Sequence, residues 1–223
     1  MQKPLIAAAV LIGAGAVPTQ AAPAMPAAVR VRGTVQSATP SVLTVKSKSG
    51  TLLRVRLTPK VPVLGVVPSS RAQIKDNSFL GIASVTLPNG TQQAREVVVF
   101  PEAGRGTGEG SYPWDLPGTA AGHSKMTNGA VKRGKPSGSR MTNGTVKHGG
   151  TGDALTLEYK NGTGTGSQRL TLPPNIPIVT FVPGQPGLLK PGAHVFVIAK
   201  RGANGALSAD RVLVGKNGLV PPM

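Results

Sequence analysis

The sequence predicts an all-β protein of two tandem, five-stranded OB-like barrels joined by a long glycine-rich loop. Three observations support this fold class. Residues 33–100 and 144–214 repeat one pattern, strand-like alternation of apolar and polar residues recurs in both copies, and helical periodicity is almost absent. A repeat of about 70 residues is typical of a pair of small domains, because solenoid units are usually about half that length.

Matched motifs define the repeat. Gly33-Thr34-Val35 returns as Gly144-Thr145-Val146, and Val61-Pro62-Val63 returns as Ile176-Pro177-Ile178. We therefore expect a tandem domain order: a signal peptide over residues 1–24, a first OB-like barrel over 25–102, a Gly/Ser/Pro-rich basic linker over 103–143 and a second OB-like barrel over 144–223.

Each repeat contains five predicted strands. In the first repeat they cover residues 29–35, 42–46, 52–57, 79–86 and 94–100, and Asn89-Gly90 suits the tight turn between the last two. In the second repeat they cover residues 144–147, 154–159, 168–172, 193–199 and 209–214. Five strands with an interruption after the third is the element order of an OB-like barrel. A small open sandwich of the same strands is the alternative.

The N-terminus predicts a secretory signal peptide. Lys3 precedes an apolar run over residues 5–17, and no further charge occurs before Arg30. This run is shorter than the ~20 residues that span a bilayer, and small residues follow it, as at a signal-peptidase site. We expect cleavage after Ala21 or Ala24. The mature protein would then be periplasmic or extracellular, with no integral membrane span.

The chain is strongly basic. It has 25 Lys and Arg against 8 Asp and Glu, a formal net charge of +17, and loss of residues 1–24 removes only Lys3 and leaves +16. This balance favours a polyanion as partner: lipopolysaccharide, acidic polysaccharide or nucleic acid, bound without sequence preference. Aromatic residues make up 3% of the chain, which disfavours base stacking. Alternatively, the alternating arginines (Arg30, Arg32, Arg54 and Arg56) only solvate a sheet face.

A second, shorter duplication lies in the linker. Residues 124–134 recur as residues 139–149, and both copies contain Met-Thr-Asn-Gly. Because the second copy leads directly into the second repeat, we expect it to supply a strand and the first copy to be a spacer. The cations of this region are candidates for polyanion binding: Lys125, Lys132, Arg133, Lys135, Arg140 and Lys147. We expect their neutralisation to weaken binding more than neutralisation of the four alternating arginines.

The first part of the linker holds the single tryptophan among glycines. Its candidate functional residues are Glu109, Tyr112, Trp114 and Asp115. Aromatic side chains in such a loop either pin it to the barrels as a clasp or form part of a ligand site. Burial of Trp114 between the barrels would favour the clasp, and exposure above a cleft would favour the ligand site.

Several motifs together resemble a known family. They are Phe100-Pro101-Glu102, the glycine-rich residues 105–110, Tyr112-Pro113-Trp114-Asp115, Met141-Thr142-Asn143-Gly144 and the closing residues 214–223. They resemble predicted secreted proteobacterial tandem-repeat proteins catalogued as a domain of unknown function, and the resemblance covers nearly all of the mature chain. Some members are labelled metal ABC transporter permease. A permease needs several membrane-spanning helices, so that label is not supported here. The Met-Thr-Asn-Gly duplication departs from the family pattern.

Catalytic motifs are missing from the sequence. No Gly-x-Ser-x-Gly elbow is present, and residues 104–110 lack the Lys-Ser/Thr ending of a phosphate-binding loop. Without cysteine, neither disulfides nor thiolate metal sites can form. The acids Glu102, Glu109 and Asp115, with His123, could surround Ca²⁺ or Mg²⁺, but their spacing matches no known loop. We predict no enzymatic activity, no cofactor and no metal site.

Together these features predict an exported, non-enzymatic binding or structural module that contacts anionic envelope polymers. Two alternatives stay open. One is a periplasmic protein that binds a metal or a small ligand, and the other is a scaffold in an envelope complex. The oligomeric state is left open.

Overall fold

The structure is a computed structural model that describes residues 28–116, 124–132, 153–161 and 164–222. As predicted, the described chain is all-β. Its strands are β1 (Val29–Ala38), β2 (Val42–Ser47), β3 (Leu52–Arg56), β4 (Val63–Pro68), β5 (Phe79–Thr86), β6 (Gln92–Val99), β7 (Gly110–Pro113), β8 (Ser124–Lys132), β9 (Asp153–Asn161), β10 (Gly164–Leu172), β11 (Ile178–Pro183), β12 (His194–Arg201) and β13 (Leu207–Gly215). The helical segments among these residues are short 3-10 turns, and none has the length and apolar character of a membrane-crossing helix.

Most predicted strands are present, with ends that differ by a few residues. The predicted hairpin of β5 and β6 is confirmed, and Gly90 in its turn has a φ of 80°, a conformation that glycine adopts without strain. The predicted signal peptide and the predicted strand at residues 144–147 lie outside the described residues. Four strands, β4, β7, β8 and β11, were not predicted as strands from the sequence.

The strands pair into one continuous network. In one group β3, β2, β1, β12 and β13 follow one another as antiparallel neighbours, and β13 also contacts β3 in parallel. In the other group β10, β9, β8, β5 and β6 do the same, and β10 also contacts β6 in parallel. Between the groups β4 and β11 pair antiparallel, with β4 parallel to β13 and β11 parallel to β6.

Two apolar cores correspond to these groups. Core A contains buried side chains of β1, β2, β3, β12 and β13, among them Val31, Leu43, Val55, Val197 and Val212. Core B contains buried side chains of β5, β6, β8, β9 and β10, among them Leu80, Val97, Val131, Leu157 and Leu170. Each core therefore combines strands of both repeats. The tandem arrangement, in which each repeat forms its own barrel, is not confirmed, because the β5–β6 and β12–β13 hairpins are exchanged between the repeats.

The strand β4 gives a physical reason for the exchange. Pro59 and Pro62 precede it and Pro68 ends it, and a residue that comes before a proline is held in an extended conformation. An extended strand of this length spans roughly 20 Å. It therefore carries the chain away from core A, so that the next hairpin packs in core B. The corresponding strand β11 ends at Pro183 and runs the opposite way.

The strand β8 occupies in core B the place that β1 has in core A. A Cβ on Gly33 of β1 would lie 2.1 Å from the carbonyl oxygen of Lys46, and one on Gly129 of β8 would lie 2.2 Å from that of Glu158. Only glycine fits so close to a neighbouring strand. The first copy of the linker duplication is therefore a strand, and the prediction that it serves as a spacer is wrong. Its buried Met126 and Val131 explain why it packs.

Aromatic side chains join the two cores. Phe100 makes edge-on contacts with Phe79 at 5.3 Å and Phe181 at 5.4 Å between ring centres. Trp114 lies 6.1 Å from Tyr112 and 6.2 Å from Phe196. We call these six side chains the aromatic seam. It includes every phenylalanine of the chain and connects β5 of core B with β12 of core A, so burial of aromatic surface there stabilises the docking of the cores.

Candidate functional site

The glycine-rich loop is fastened to β8 and β9. Asn128 on β8 donates a hydrogen bond to the carbonyl of Gly108 at 2.8 Å and another to the hydroxyl of Tyr112 at 3.1 Å. The Glu109 carboxylate accepts one from the backbone N–H of Lys160 at 3.0 Å. Burial raises the pKa of Tyr112 above its ordinary value, although the charge of Arg30 opposes this. Two of the four predicted loop residues, Glu109 and Tyr112, thus make contacts within the protein.

The other two loop residues meet β1. The Asp115 carboxylate accepts hydrogen bonds from Arg30 at 3.2 Å and from Arg32 at 3.0 and 3.1 Å. Partial burial opposes ionisation of Asp115, but the hydrogen bond and charge of Arg32 and the charge of Arg30 outweigh it and hold the pKa of Asp115 below its usual range. The guanidinium of Arg30 stacks 3.9 Å from the ring centre of Trp114, and that of Arg32 lies 4.8 Å from Phe196.

Trp114 is half-buried and packs on two apolar clusters at once. One cluster lies along β4 and β11 and contains Phe181 and Phe196. The other contains Met126 and Leu116 beside β5 and β8. The indole ring therefore contacts elements of both cores, an arrangement that favours the clasp over an open ligand platform. Its Nε1 is buried with no hydrogen-bond partner among the described residues.

The linker cations are only partly described. Lys125 is exposed on β8, and Lys132 is the last residue of that strand. The remaining predicted polyanion-binding residues lie outside the described residues: Arg133, Lys135, Arg140 and Lys147.

The four alternating arginines of the first repeat differ from one another. The side chains of Arg30 and Arg32 are only 20% and 18% exposed and are engaged by Asp115, so for these two the interpretation as a solvated sheet face is wrong. Arg54 and Arg56 are exposed on one face of β3. Exposed Lys46 and Lys48 lie at the end of the neighbouring β2.

We call Lys46, Lys48, Arg54 and Arg56 the cationic strip. Within the described ranges, none of them forms an ion pair with a carboxylate. The acids near the glycine-rich loop have other partners: Glu102 pairs with Arg105 at 2.5 Å, and Asp115 pairs with Arg30 and Arg32. The cationic strip therefore presents positive charge to solvent without local neutralisation.

The acids proposed for a metal ion are held apart by these partners. Glu102 lies against Arg105, whose hydrogen bond lowers the pKa of the carboxyl, Glu109 lies on the backbone of Lys160, and His123 lies outside the described residues. No group of three or more potential metal-ligating side chains occurs in the described part of the chain.

A cleft of about 520 Å³ opens beside the cationic strip. Its lining includes Arg32, Lys46, Lys48, His194 and Glu96, which lies on β6. Glu96 is 5% exposed, and its Oε1 has no hydrogen-bond partner among the described residues. Burial raises the pKa of Glu96 to about 8, against the opposing charge of Arg32. At neutral pH this carboxyl is therefore mostly protonated.

Sequence reasoning did not find this cleft. Glu96 and His194 lie 98 positions apart in different repeats, and the cleft is lined by β6 of one strand group and by β1 and β12 of the other. One signal was present in the sequence: Glu96 directly precedes three consecutive valines in a predicted strand. A charged residue at such a position is rarely buried without a functional or structural reason.

Comparisons with protein-family models, with curated proteins and with solved structures find no match to this chain.

Proposed function

We propose that the protein is an exported, non-enzymatic module that binds anionic polymers of the cell envelope. The observation that carries the proposal is the cationic strip, whose four exposed side chains lack carboxylate partners in the described ranges. Together with a formal net charge of +17, it provides a surface that attracts phosphate, sulfate or carboxylate groups along a polymer. Such binding needs no shape recognition and no catalytic group.

The proposal includes export through the predicted signal peptide and membership of the secreted domain-of-unknown-function family that the sequence resembles. It also includes closure of each strand group as an OB-like barrel. The parallel contacts of β13 with β3 and of β10 with β6 support closure, because they connect the first and last strands of each group.

In this proposal the Trp114 loop is a clasp. It has a structural role, since Trp114 packs on two clusters and Asp115 engages two arginines. Because Arg30 and Arg32 are used inside the clasp, the cationic strip and the linker cations carry the polymer binding.

Heparin chromatography at low ionic strength tests the proposal. We expect the wild type to be retained and to elute earlier as salt is raised, because counterion release makes such binding steeply salt-dependent. The double variant Arg54→Gln/Arg56→Gln should elute at lower salt. The control Lys200→Gln/Arg201→Gln removes the same formal charge at the end of β12, where Lys200 is paired with Asp210 at 2.9 Å. It should elute close to the wild type.

Two results would contradict the proposal. An unretained wild type would mean that no polyanion-binding surface exists. Equal shifts in both double variants would mean that net charge alone, and not the cationic strip, determines retention. A third variant, in which the six linker cations are neutralised, measures how much they contribute to heparin retention. We expect this contribution to exceed that of the four alternating arginines.

A further inference from the structure

We propose that the cleft at Glu96 is a binding site for a small organic anion that presents one carboxylate or phosphate group to Glu96, Lys46 and Lys48. The cleft volume of about 520 Å³ falls in the range of pockets that hold small molecules. The inference deepens the proposed function and rests on it in part, because Lys46 and Lys48 belong both to the cleft and to the cationic strip. The cleft, however, selects a single group, whereas the strip attracts a polymer.

The buried carboxyl is the first argument. In native proteins a buried polar atom without a partner is rare and calls for an explanation. Oε1 of Glu96 is such an atom among the described residues, and it belongs to a residue that lines the cleft. In its protonated form the carboxyl both donates and accepts hydrogen bonds. A negatively charged ligand oxygen would accept a hydrogen bond from the protonated carboxyl. Such a charge-assisted hydrogen bond is stronger than one between neutral groups.

The charges around the cleft are the second argument. Lys46 comes from the end of β2, Lys48 from the turn that follows it and His194 from the start of β12. Arg32 comes from β1, and its charge is shared with Asp115. The residue paired with Glu96 on β5 is Ala83, which carries no charge. Glu96 is the single acid among the described lining residues. The field in the cleft therefore favours an anion, and it also opposes the entry of a metal cation.

The remaining wall defines the body of the ligand. Its apolar part consists of Pro177, Val195 and the C-terminal residues Val220, Pro221 and Pro222, and the hydroxyl-bearing Thr34 and Ser47 also line the cleft. One side of the cleft thus suits a charged group and the other suits the carbon skeleton of a compact molecule. A uronic acid and a sugar phosphate both have this form, and both occur as units of anionic polymers.

Isothermal titration of the full chain with three probes tests the site. The probes are glucuronate, glucose 6-phosphate and glucose. We expect at least one of the two anions to bind at pH 7 and glucose not to bind. Tighter binding of glucuronate identifies a carboxylate as the preferred group, and tighter binding of glucose 6-phosphate identifies a phosphate. Failure of both anions to bind, or equal binding of glucose, would overturn the proposal.

Variants at Glu96 test its role. Glu96→Gln keeps a hydrogen-bond donor and should stay within about threefold of the wild-type affinity, whereas Glu96→Leu should lose tenfold or more. A thermal melt of each variant verifies that it is folded. Affinity equal to the wild type in a folded Glu96→Leu protein would overturn the role of the carboxyl.

The pH dependence supplies a signature that a merely structural role would not give. Burial raises the pKa of Glu96 to about 8, so wild-type affinity should fall by about tenfold per pH unit above that value, as the proton needed for the hydrogen bond is lost. Glu96→Gln should not show this fall. Because His194 also lines the cleft, the series is measured in a His194→Gln background. An identical pH profile for both proteins would overturn the assignment.

The same variants separate this site from polymer binding. Glu96→Leu should leave heparin retention unchanged while it abolishes binding of the small anion. Arg54→Gln/Arg56→Gln should reduce heparin retention and leave the small-anion affinity unchanged. If heparin is not retained but the small anion binds, the polymer proposal fails alone. If heparin is retained and no small anion binds, the cleft proposal fails alone.

Discussion

The guanidinium carbon of Arg30 lies 3.9 Å from the centre of the Trp114 ring. This contact connects the first strand of core A to the loop that leaves core B. The neighbouring Asp115 fixes the same guanidinium through a hydrogen bond of 3.2 Å. A cation–π interaction shielded from bulk water stabilises a fold more than one at an open surface. The contact between Arg30 and Trp114 therefore stabilises the docking of the two cores.

Replacement of Trp114 by alanine should destabilise the protein by about 2–3 kcal/mol. This is less than the 3–5 kcal/mol typical of a fully buried tryptophan, because Trp114 is only half-buried. Trp114→Phe is the matched control. It keeps an aromatic face for Arg30 and removes the unpartnered Nε1, so it should cost much less.

Chemical denaturation measures these differences, and the wild-type tryptophan fluorescence should be shifted to the blue. Emission like that of free tryptophan, together with a harmless Trp114→Ala substitution, would contradict the clasp and favour a ligand site in the loop.

The buried Glu96 predicts a specific pH dependence of stability. Its pKa in the folded state is about 8, well above the ordinary value of 4.5, so the folded protein keeps a proton that the unfolded chain releases. Stability due to this group is fully present below pH 4.5 and is lost as pH rises to about 8. The slope within that window is about 1.4 kcal/mol per pH unit.

Glu96→Gln cannot ionise and serves as the reference. The quantity to follow is the free energy of unfolding of the wild type minus that of Glu96→Gln. We expect this difference to fall between pH 5 and pH 8 and then to level off, because the folded-state pKa of Glu96 is about 8. A difference that stays constant across this range would mean that Glu96 is ionised in the folded protein.

The two copies of the linker duplication make a point substitution more informative than a deletion. Removal of residues 125–139 joins Ser124 to Arg140 and restores a nearly identical strand, with Arg in place of Lys125 and Thr in place of Ala130. The melting temperature should therefore change little, whichever copy normally forms the strand.

Val131→Asp distinguishes the copies. Val131 is 5% exposed in core B, so an unpaired carboxylate there should cost more than about 3 kcal/mol. Val146→Asp is the equivalent change in the second copy and should leave the melting temperature nearly unchanged. A greater loss with Val146→Asp would mean that the second copy forms the strand.

The sequence was informative about local structure and less so about assembly. Alternation of apolar and polar residues located nine of the thirteen described strands, and Asn89-Gly90 located a hairpin turn, because both are encoded within a few neighbouring residues. The exchange of hairpins was not predictable in this way. It depends on whether the chain folds back after β3 or continues through β4, and that is decided by packing between distant residues.

The same limit applies to the candidate site. The loop residues Glu109, Tyr112, Trp114 and Asp115 stood out in the sequence because aromatic and acidic side chains are unusual among glycines. Their partners did not stand out, since Arg30 was one of several alternating strand arginines and Asn128 lay in a segment predicted to be a spacer. The Glu96 cleft is lined by residues of both strand groups and so could not be found before the strand pairing was known.

The exchange of hairpins between the repeats is the central claim, and engineered disulfides test it directly. The chain has no cysteine of its own. Thr34 of β1 is paired with His194 of β12, and their side chains approach to 3.4 Å, whereas Thr44 and Arg54 are paired within the first repeat. Paired residues on antiparallel strands lie within the Cα separation that a disulfide allows.

The measurement is oxidative cross-linking of a Thr34→Cys/His194→Cys monomer, read by peptide mass spectrometry, with Thr44→Cys/Arg54→Cys as the control. The exchanged arrangement predicts an intramolecular disulfide in both proteins. Cross-linking in the control alone, or a Thr34→Cys/His194→Cys disulfide that forms only between two molecules, would contradict the account.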